Sequence, residues 1–193
     1  MTGPRTIHNL ALIGFMGTGK SSIGRLIAAA LRYELADTDH LLEQRAGMSI
    51  AEIFAQRGEP AFRDAERQLV AEMAGWRQRI IATGGGLGAD AANLESLKQH
   101  ALVVCLWASP ESLAQRLRHQ SHRPLLQDPD PLARIRELLE RRAPVYKLAD
   151  VLVNTESRSL REVADHVLHQ FKVARSQPLI VPAPVVPPPP SSS

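Results

Sequence analysis

The stretch Gly14-Phe-Met-Gly-Thr-Gly19-Lys20-Ser21 fits the pattern G-x-x-x-x-G-K-[ST] in full. Its glycines let successive backbone N–H groups turn into a concavity the size of a phosphate, and a helix beginning at its end adds the positive end of a dipole. In that setting Lys20 reaches the β- and γ-phosphates, and the Ser21 hydroxyl ligates Mg²⁺. A nucleoside triphosphate is the ligand implied, with Gly17, Thr18, Gly19, Lys20, Ser21 and Ser22 as its contacts.

Two further clusters carry chemistry. Asp37-Thr38-Asp39 follows a short apolar stretch. At the C-terminal end of a strand it would lie where open α/β sheets bind ligands. Carboxylates two residues apart on extended chain point to opposite sides, so one can help hold a metal shell. The other can accept a hydrogen bond or a proton from an attacking hydroxyl. The alternative is that both only cap the helix that follows. Gly84-Gly85-Gly86 reads either as a plain turn or as backbone that a ligand approaches closely.

These residues need a scaffold, and the hydrophobic pattern supplies one. Asn9 to Ile13 is a short apolar run ending at Gly14, and Ser21 to Arg32 places Ile23, Leu26, Ile27, Ala30 and Leu31 on one helical face. Tyr33 to Thr38 predicts a second strand, with helices over about 40–56 and 62–75. Ser49-Ile-Ala-Glu52 is a capping box that starts a helix. Arg79 to Thr83 predicts a third strand, 90–99 a helix, and Ala101 to Trp107 a strongly apolar fourth strand. Ser109-Pro110 and Asp130-Pro131 open helices, the second reaching about Arg142. Asp150 to Val153 is the fifth strand, and Ser159-Leu-Arg-Glu162 caps a closing helix. Strands alternating with helices predict a parallel sheet of five strands covered on both faces.

Composition narrows the function classes. The chain has 193 residues, 44% of them hydrophobic, which is enough for one cored domain. Cys105 is the lone cysteine, so neither a disulfide framework nor a cysteine-based zinc site is open to it. It falls within an apolar strand and reads as core, in keeping with a reducing cytoplasm. The longest apolar stretch, Leu102 to Ala108, is far short of the ~20 residues of a membrane span, and no signal-peptide pattern is present. Only four of the 23 cationic residues are lysines. Arginine's planar fork suits anionic ligands, although a genome rich in G and C gives the same bias. Aromatic residues are too few, at 4%, for base-stacking platforms, so no nucleic-acid partner is expected. Trp76 and Trp107 read as packing residues, and His119 and His122 as exposed polar ones. Seven of the 14 prolines lie in Pro178 to Ser193, so residues 176–193 read as a disordered tail behind a domain of residues 1–175.

Over residues 9–172 the chain resembles the shikimate kinases. The motifs that carry this are the phosphate loop, Asp37-Thr38-Asp39, Phe62-Arg63-Asp-Ala-Glu66, Gly84-Gly85-Gly86, Arg123-Pro124-Leu125-Leu126 and Arg141-Arg142-Ala-Pro144-Val-Tyr146, in order. Ser22 and Val145 depart from the commoner threonine and leucine. The resemblance implies a three-layer fold like that of the nucleoside monophosphate kinases, with a mobile lid at about 119–130. It implies that Arg63 and Arg142 grip the carboxylate of shikimate, and that Glu66 orients Arg63. By the same resemblance, Asp39 holds ring hydroxyls near the one phosphorylated, and Gly84, Gly85 and Gly86 approach the substrate. Arg116 stacks on adenine, or is ordinary surface charge, and Arg123 closes over the phosphates. The activity implied is ATP-dependent phosphorylation of the shikimate 3-hydroxyl, with Mg²⁺ held by Ser21 and Asp37 and with Lys20, Asp39 and Arg123 catalytic. A cytoplasmic monomer is expected. The alternatives are another small-metabolite kinase, such as a gluconate kinase, and a non-catalytic ATP and metabolite sensor.

Overall fold

The computed structural model describes residues 5–118 and 129–176. Arg123, His119 and His122 lie outside these residues, as do nearly all of the expected lid and tail. Five strands, β1 (Asn9–Ile13), β2 (Glu34–Asp37), β3 (Arg79–Ala82), β4 (Ala101–Trp107) and β5 (Val151–Asn154), pair in parallel in the order β2-β3-β1-β4-β5. The central strand β1 is buried along its whole length, as expected of a strand covered on both faces.

Alternation along the strands sorts side chains into two cores. Leu10 and Leu12 of β1, Ile80 of β3, and Leu102, Val104 and Leu106 of β4 face α1 (Lys20–Leu31) and α7 (Leu160–Ser176), meeting Ile23, Ile27, Val167 and Phe171. Ala11, Ile13, Ile81, Val103 and Cys105 face the other way. There they meet side chains of α2 (Thr38–Ala46), α3 (Ile50–Met73), α4 (Ala91–Lys98) and α6 (Pro131–Tyr146). Each fully buried leucine or isoleucine contributes roughly 1.5–3 kcal/mol, so these two layers hold the sheet between them. A smaller third cluster joins Phe15 to Leu113 and Leu117 of α5 (Pro110–Leu117) and to Ile135 of α6. The architecture is the expected three-layer α/β fold. No helix among the described residues is long and apolar enough to cross a membrane.

Local signals behave largely as their chemistry requires. The Ser49 hydroxyl accepts the Glu52 N–H while the Glu52 carboxylate accepts the Ser49 N–H, and Ser159 and Glu162 repeat this reciprocal pair ahead of α7. Differences are few. The α3 helix bends at Gly58 (φ 79°), and its second part begins earlier than residue 62, just ahead of Pro60. The α6 helix runs on past Arg142 to Tyr146 with Pro144 inside it. Trp107 is 44% exposed and so is not a packing residue, because it ends β4 opposite Asn154 on the edge strand.

The C-terminal ends of all five strands open on one edge of the sheet. The loop after β1 leads into α1, Asp37 ends β2, and the triple glycine follows β3.

Candidate active site

The α1 helix begins without a side-chain cap. Gly19 occupies its N-cap position at φ 93°, a left-handed backbone that favours glycine, so the first-turn N–H groups stay open to an anion. Lys20 is buried and donates through Nζ to the carbonyls of Gly14 (2.8 Å) and Phe15 (2.9 Å). Thr18 closes the turn by donating through its hydroxyl to the Phe15 carbonyl at 2.8 Å. Ser22 follows, half-buried in the first turn of α1.

Ser21 meets the second strand here. Its hydroxyl donates to Asp37 Oδ2 at 2.7 Å, while Asp37 Oδ1 accepts the His40 N–H at 3.5 Å as the N-cap of α2. Asp37 therefore caps the helix and also reaches the phosphate loop. Thr38 already begins α2, so the two aspartates do not diverge on extended chain as the sequence implied. Asp39 lies in the first helical turn instead. A hydroxyl beside a carboxylate at the mouth of a phosphate loop is an all-oxygen donor set, the kind Mg²⁺ takes together with phosphate oxygens and water. Among the described residues no cluster of three or more acidic, histidine or cysteine ligands exists.

The triple glycine is the hub of the other half of the site. A methyl group on Gly84 would overlap the Asp39 carboxylate, one on Gly86 would overlap the Arg63 guanidinium, and one on Gly85 would touch Arg142 Nη1 at 3.4 Å. Three consecutive residues thus face three different charged side chains, drawn from α2, α6 and α3. Thr38 pins this turn by accepting the Gly84 N–H at 2.7 Å, fully buried.

The two arginines are held differently. Arg63 donates through Nη1 to Glu66 (2.7 Å) and through Nε and Nη2 to Glu59 (3.1 and 2.8 Å). Burial opposes the Arg63 charge, but the hydrogen bonds to Glu66 and Glu59 outweigh it and leave its pKa above the ordinary value. Glu66 is only 2% exposed, so it faces the protein interior rather than solvent. Burial pushes the Glu66 carboxyl up, the Arg63 hydrogen bond pulls it down, and the nearby Asp39 charge raises it again. Arg142, by contrast, forms no ion pair among the described residues, and its buried Nη1 has no hydrogen-bond partner there. Its guanidinium stands over the Phe15 ring at 5.4 Å. A partly buried guanidinium with no ion pair, set against a glycine turn, can take an anion, and its fork suits a carboxylate.

Arg116 is anchored on α5. It donates to the Thr155 hydroxyl (2.8 Å) and carbonyl (2.7 Å) and, at 3.4 Å, to the Gly17 carbonyl of the phosphate loop. The Glu156 carboxylate beside it accepts from the hydroxyls of Ser109 and Ser112 (2.5 Å each), fastening α5 to the turn after β5. The Ser109 hydroxyl, then that of Ser112, holds the Glu156 pKa down to about 2. Sequence reading missed Thr38, Thr155, Glu59 and Phe15. Of these only Glu59 carried a usable signal, its i,i+4 spacing to Arg63.

A family model described as shikimate kinase matches residues 16–172. A shikimate kinase of Thermus thermophilus is 44% identical over 169 residues, covering 87% of this chain and 92% of that one. Among solved structures, a shikimate kinase from Acinetobacter baumannii in complex with shikimate superposes with a TM-score of 0.82 at 35% identity, covering 90% of this chain and 97% of that one. A gluconokinase from Sinorhizobium meliloti shares the fold alone, at a TM-score of 0.57 and 18% identity over 89% of this chain and 95% of that one. The chain belongs to the shikimate kinase family.

Proposed function

We propose that this protein transfers the γ-phosphoryl group of ATP to the 3-hydroxyl of shikimate, giving shikimate 3-phosphate and ADP. The observation that carries the reading is the triple glycine, against which Asp39, Arg142 and Arg63 each lie, on the sheet edge that also bears the phosphate loop. Bare backbone flanked by two cations and a carboxylate suits a small, rigid hydroxy acid.

In this reading Arg142 and Arg63 take the substrate carboxylate, and Glu66 and Glu59 fix the tilt of Arg63. Asp39 accepts a hydrogen bond from the attacking hydroxyl and receives its proton as the new P–O bond forms and the bond to the leaving ADP oxygen breaks. In a loose transition state that proton moves late, so alignment contributes more than basicity. Lys20 leaves its two carbonyl partners to neutralise the phosphates, and the N–H groups at the start of α1 bind their oxygens. Ser21 and Asp37 would hold Mg²⁺, which when bound neutralises the β- and γ-phosphate oxygens. Arg116 takes the adenine side. Arg123, outside the described residues, completes the charge on the moving group. In this reading the protein acts as a monomer. The buried thiol of Cys105 fits a reducing cytoplasm.

The test is ADP release from Mg-ATP with shikimate, beside gluconate and no-acceptor controls and the Asp39→Asn variant. Release with shikimate alone, lost in the variant, is the expected outcome. Activity with gluconate instead would refute the assignment of the arginines. Shikimate binding without turnover would favour the sensor.

A further inference from the structure

Phe15 belongs to the phosphate loop by its backbone, whereas its side chain is buried in a core cluster. Its carbonyl accepts from Lys20 and from the Thr18 hydroxyl, which fixes its backbone within the nucleotide loop. Its ring, 1% exposed, points away from that loop into the cluster of Leu113, Leu117 and Ile135, between α5 and α6. There it meets the Arg142 guanidinium at 5.4 Å. Arg63 has two carboxylates to orient it, whereas Arg142 has no acidic partner among the described residues. The ring is therefore a principal support for the Arg142 head group, along with the buried Tyr146 hydroxyl beside it.

We propose that Phe15 is a positioning residue for the acid substrate, its ring holding the Arg142 head group so that the unpartnered Nη1 faces the glycine turn. An aromatic face attracts a guanidinium without neutralising it. A carboxylate in the same place would orient Arg142 equally well but would cancel the charge that the ligand needs. The proposal rests on the reading that Arg142 binds the carboxylate of shikimate.

Phe15→Leu removes the ring and keeps an apolar side chain, and Ile135→Ala opens a cavity in the same cluster on another element. Shikimate and Mg-ADP affinities are measured by calorimetric titration, with the steady-state KM for each substrate. Phe15→Leu is expected to weaken shikimate binding and raise its KM by about five- to tenfold, the scale of a partly desolvated cation–π contact. Mg-ADP affinity should stay within about twofold, as expected when the loop backbone is undisturbed. Phe15→Tyr, which keeps the ring, should recover most of the shikimate affinity. In an Arg142→Ala background, Phe15→Leu should have no further effect on shikimate binding.

An equal loss in Ile135→Ala would reduce the effect to general loosening and overturn the proposal. So would additive losses in the double variant. If Arg142→Ala alone leaves shikimate affinity unchanged, the carboxylate assignment itself fails. If only Phe15→Leu is silent, that assignment stands and this proposal falls.

Discussion

The Asp39 carboxylate occupies the space that a side chain on Gly84 would need. Asp39 belongs to the first turn of α2 and Gly84 to the turn after β3, so their contact depends on β2 and β3 being paired neighbours. The Thr38 hydroxyl, accepting the Gly84 N–H at 2.7 Å, fixes their separation. An alanine at Gly84 must displace Asp39 or lift the turn off Thr38. Misplacing a catalytic group by an ångström can cost about 10²-fold in rate. Gly84→Ala is therefore expected to lower kcat/KM for shikimate about 100-fold, with Mg-ADP affinity unchanged. A fully active Gly84→Ala enzyme would show that Asp39 does not work from this position.

Arg142 offers a cleaner test of substrate binding than Arg63, since removing Arg63 also strands the buried Glu66. Arg142→Ala is expected to weaken shikimate binding by about 1.5–3 kcal/mol, the range for hydrogen bonds to a charged group. Arg142→Lys keeps the charge but loses the planar fork, so its affinity should fall between the two. Titration of shikimate into the folded variants decides this, and an unchanged affinity in Arg142→Ala removes it from the carboxylate site.

Ser21 and Asp37 share a hydrogen bond at 2.7 Å, so a change in either alters the other's setting. Chelating divalent cations should abolish turnover. Asp37→Asn should raise the Mg²⁺ concentration for half-maximal rate by about 10- to 100-fold, the usual scale for groups that orient a metal's ligands. Shikimate affinity without nucleotide should not move. A variant with the same Mg²⁺ dependence as wild type would leave Asp37 with only its capping role.

What could be read in advance, and what could not, follows a physical divide. The phosphate loop, the paired aspartates and the triple glycine are legible because each chemical task needs particular residue types at adjacent positions. Caps at Ser49, Ser109 and Asp130 are legible for the same reason, since their hydrogen bonds span three residues. Partnerships across the chain are not. Nothing local to Gly84, Gly85 and Gly86 says that they face Asp39, Arg142 and Arg63, because that depends on β3 inserting between β1 and β2. The helical setting of Asp39 differs from the extended one the sequence implies because β2 passes into α2 with no intervening loop. The exposure of Trp107 is not legible in the sequence, because hydrophobicity marks a strand without saying where its helical cover stops.

Far from the site, His100 ties the starts of the strands together and gives the fold a calculable pH dependence. Asn9 donates through Nδ2 to the Trp76 carbonyl (2.8 Å) and lies 3.0 Å from His100 Nδ1, while its Oδ1 accepts the Arg79 N–H at 3.0 Å. With Asn9 so oriented, Nδ1 of His100 must accept, which makes the ring the neutral tautomer protonated at Nε2. Protonating Nδ1 would set a donor against the Asn9 amide. Burial, reinforced by the positive charges of Arg77, His8 and Arg5, lowers the His100 pKa to about 4. Between that value and the ordinary 6.5 the unfolded chain binds more protons than the folded one, so stability rises with pH across this window. The contribution of His100 is complete above 6.5 and is lost as pH falls toward 4. His100→Gln keeps an acceptor for Asn9 without a titrating group. Urea unfolding at several pH values from 7.5 down to 5 should therefore give a shallower loss of stability in the variant. The slopes should differ by up to about 1.4 kcal/mol per pH unit, the worth of one proton. Parallel slopes for the two proteins would mean that His100 titrates in the folded state as it does in water.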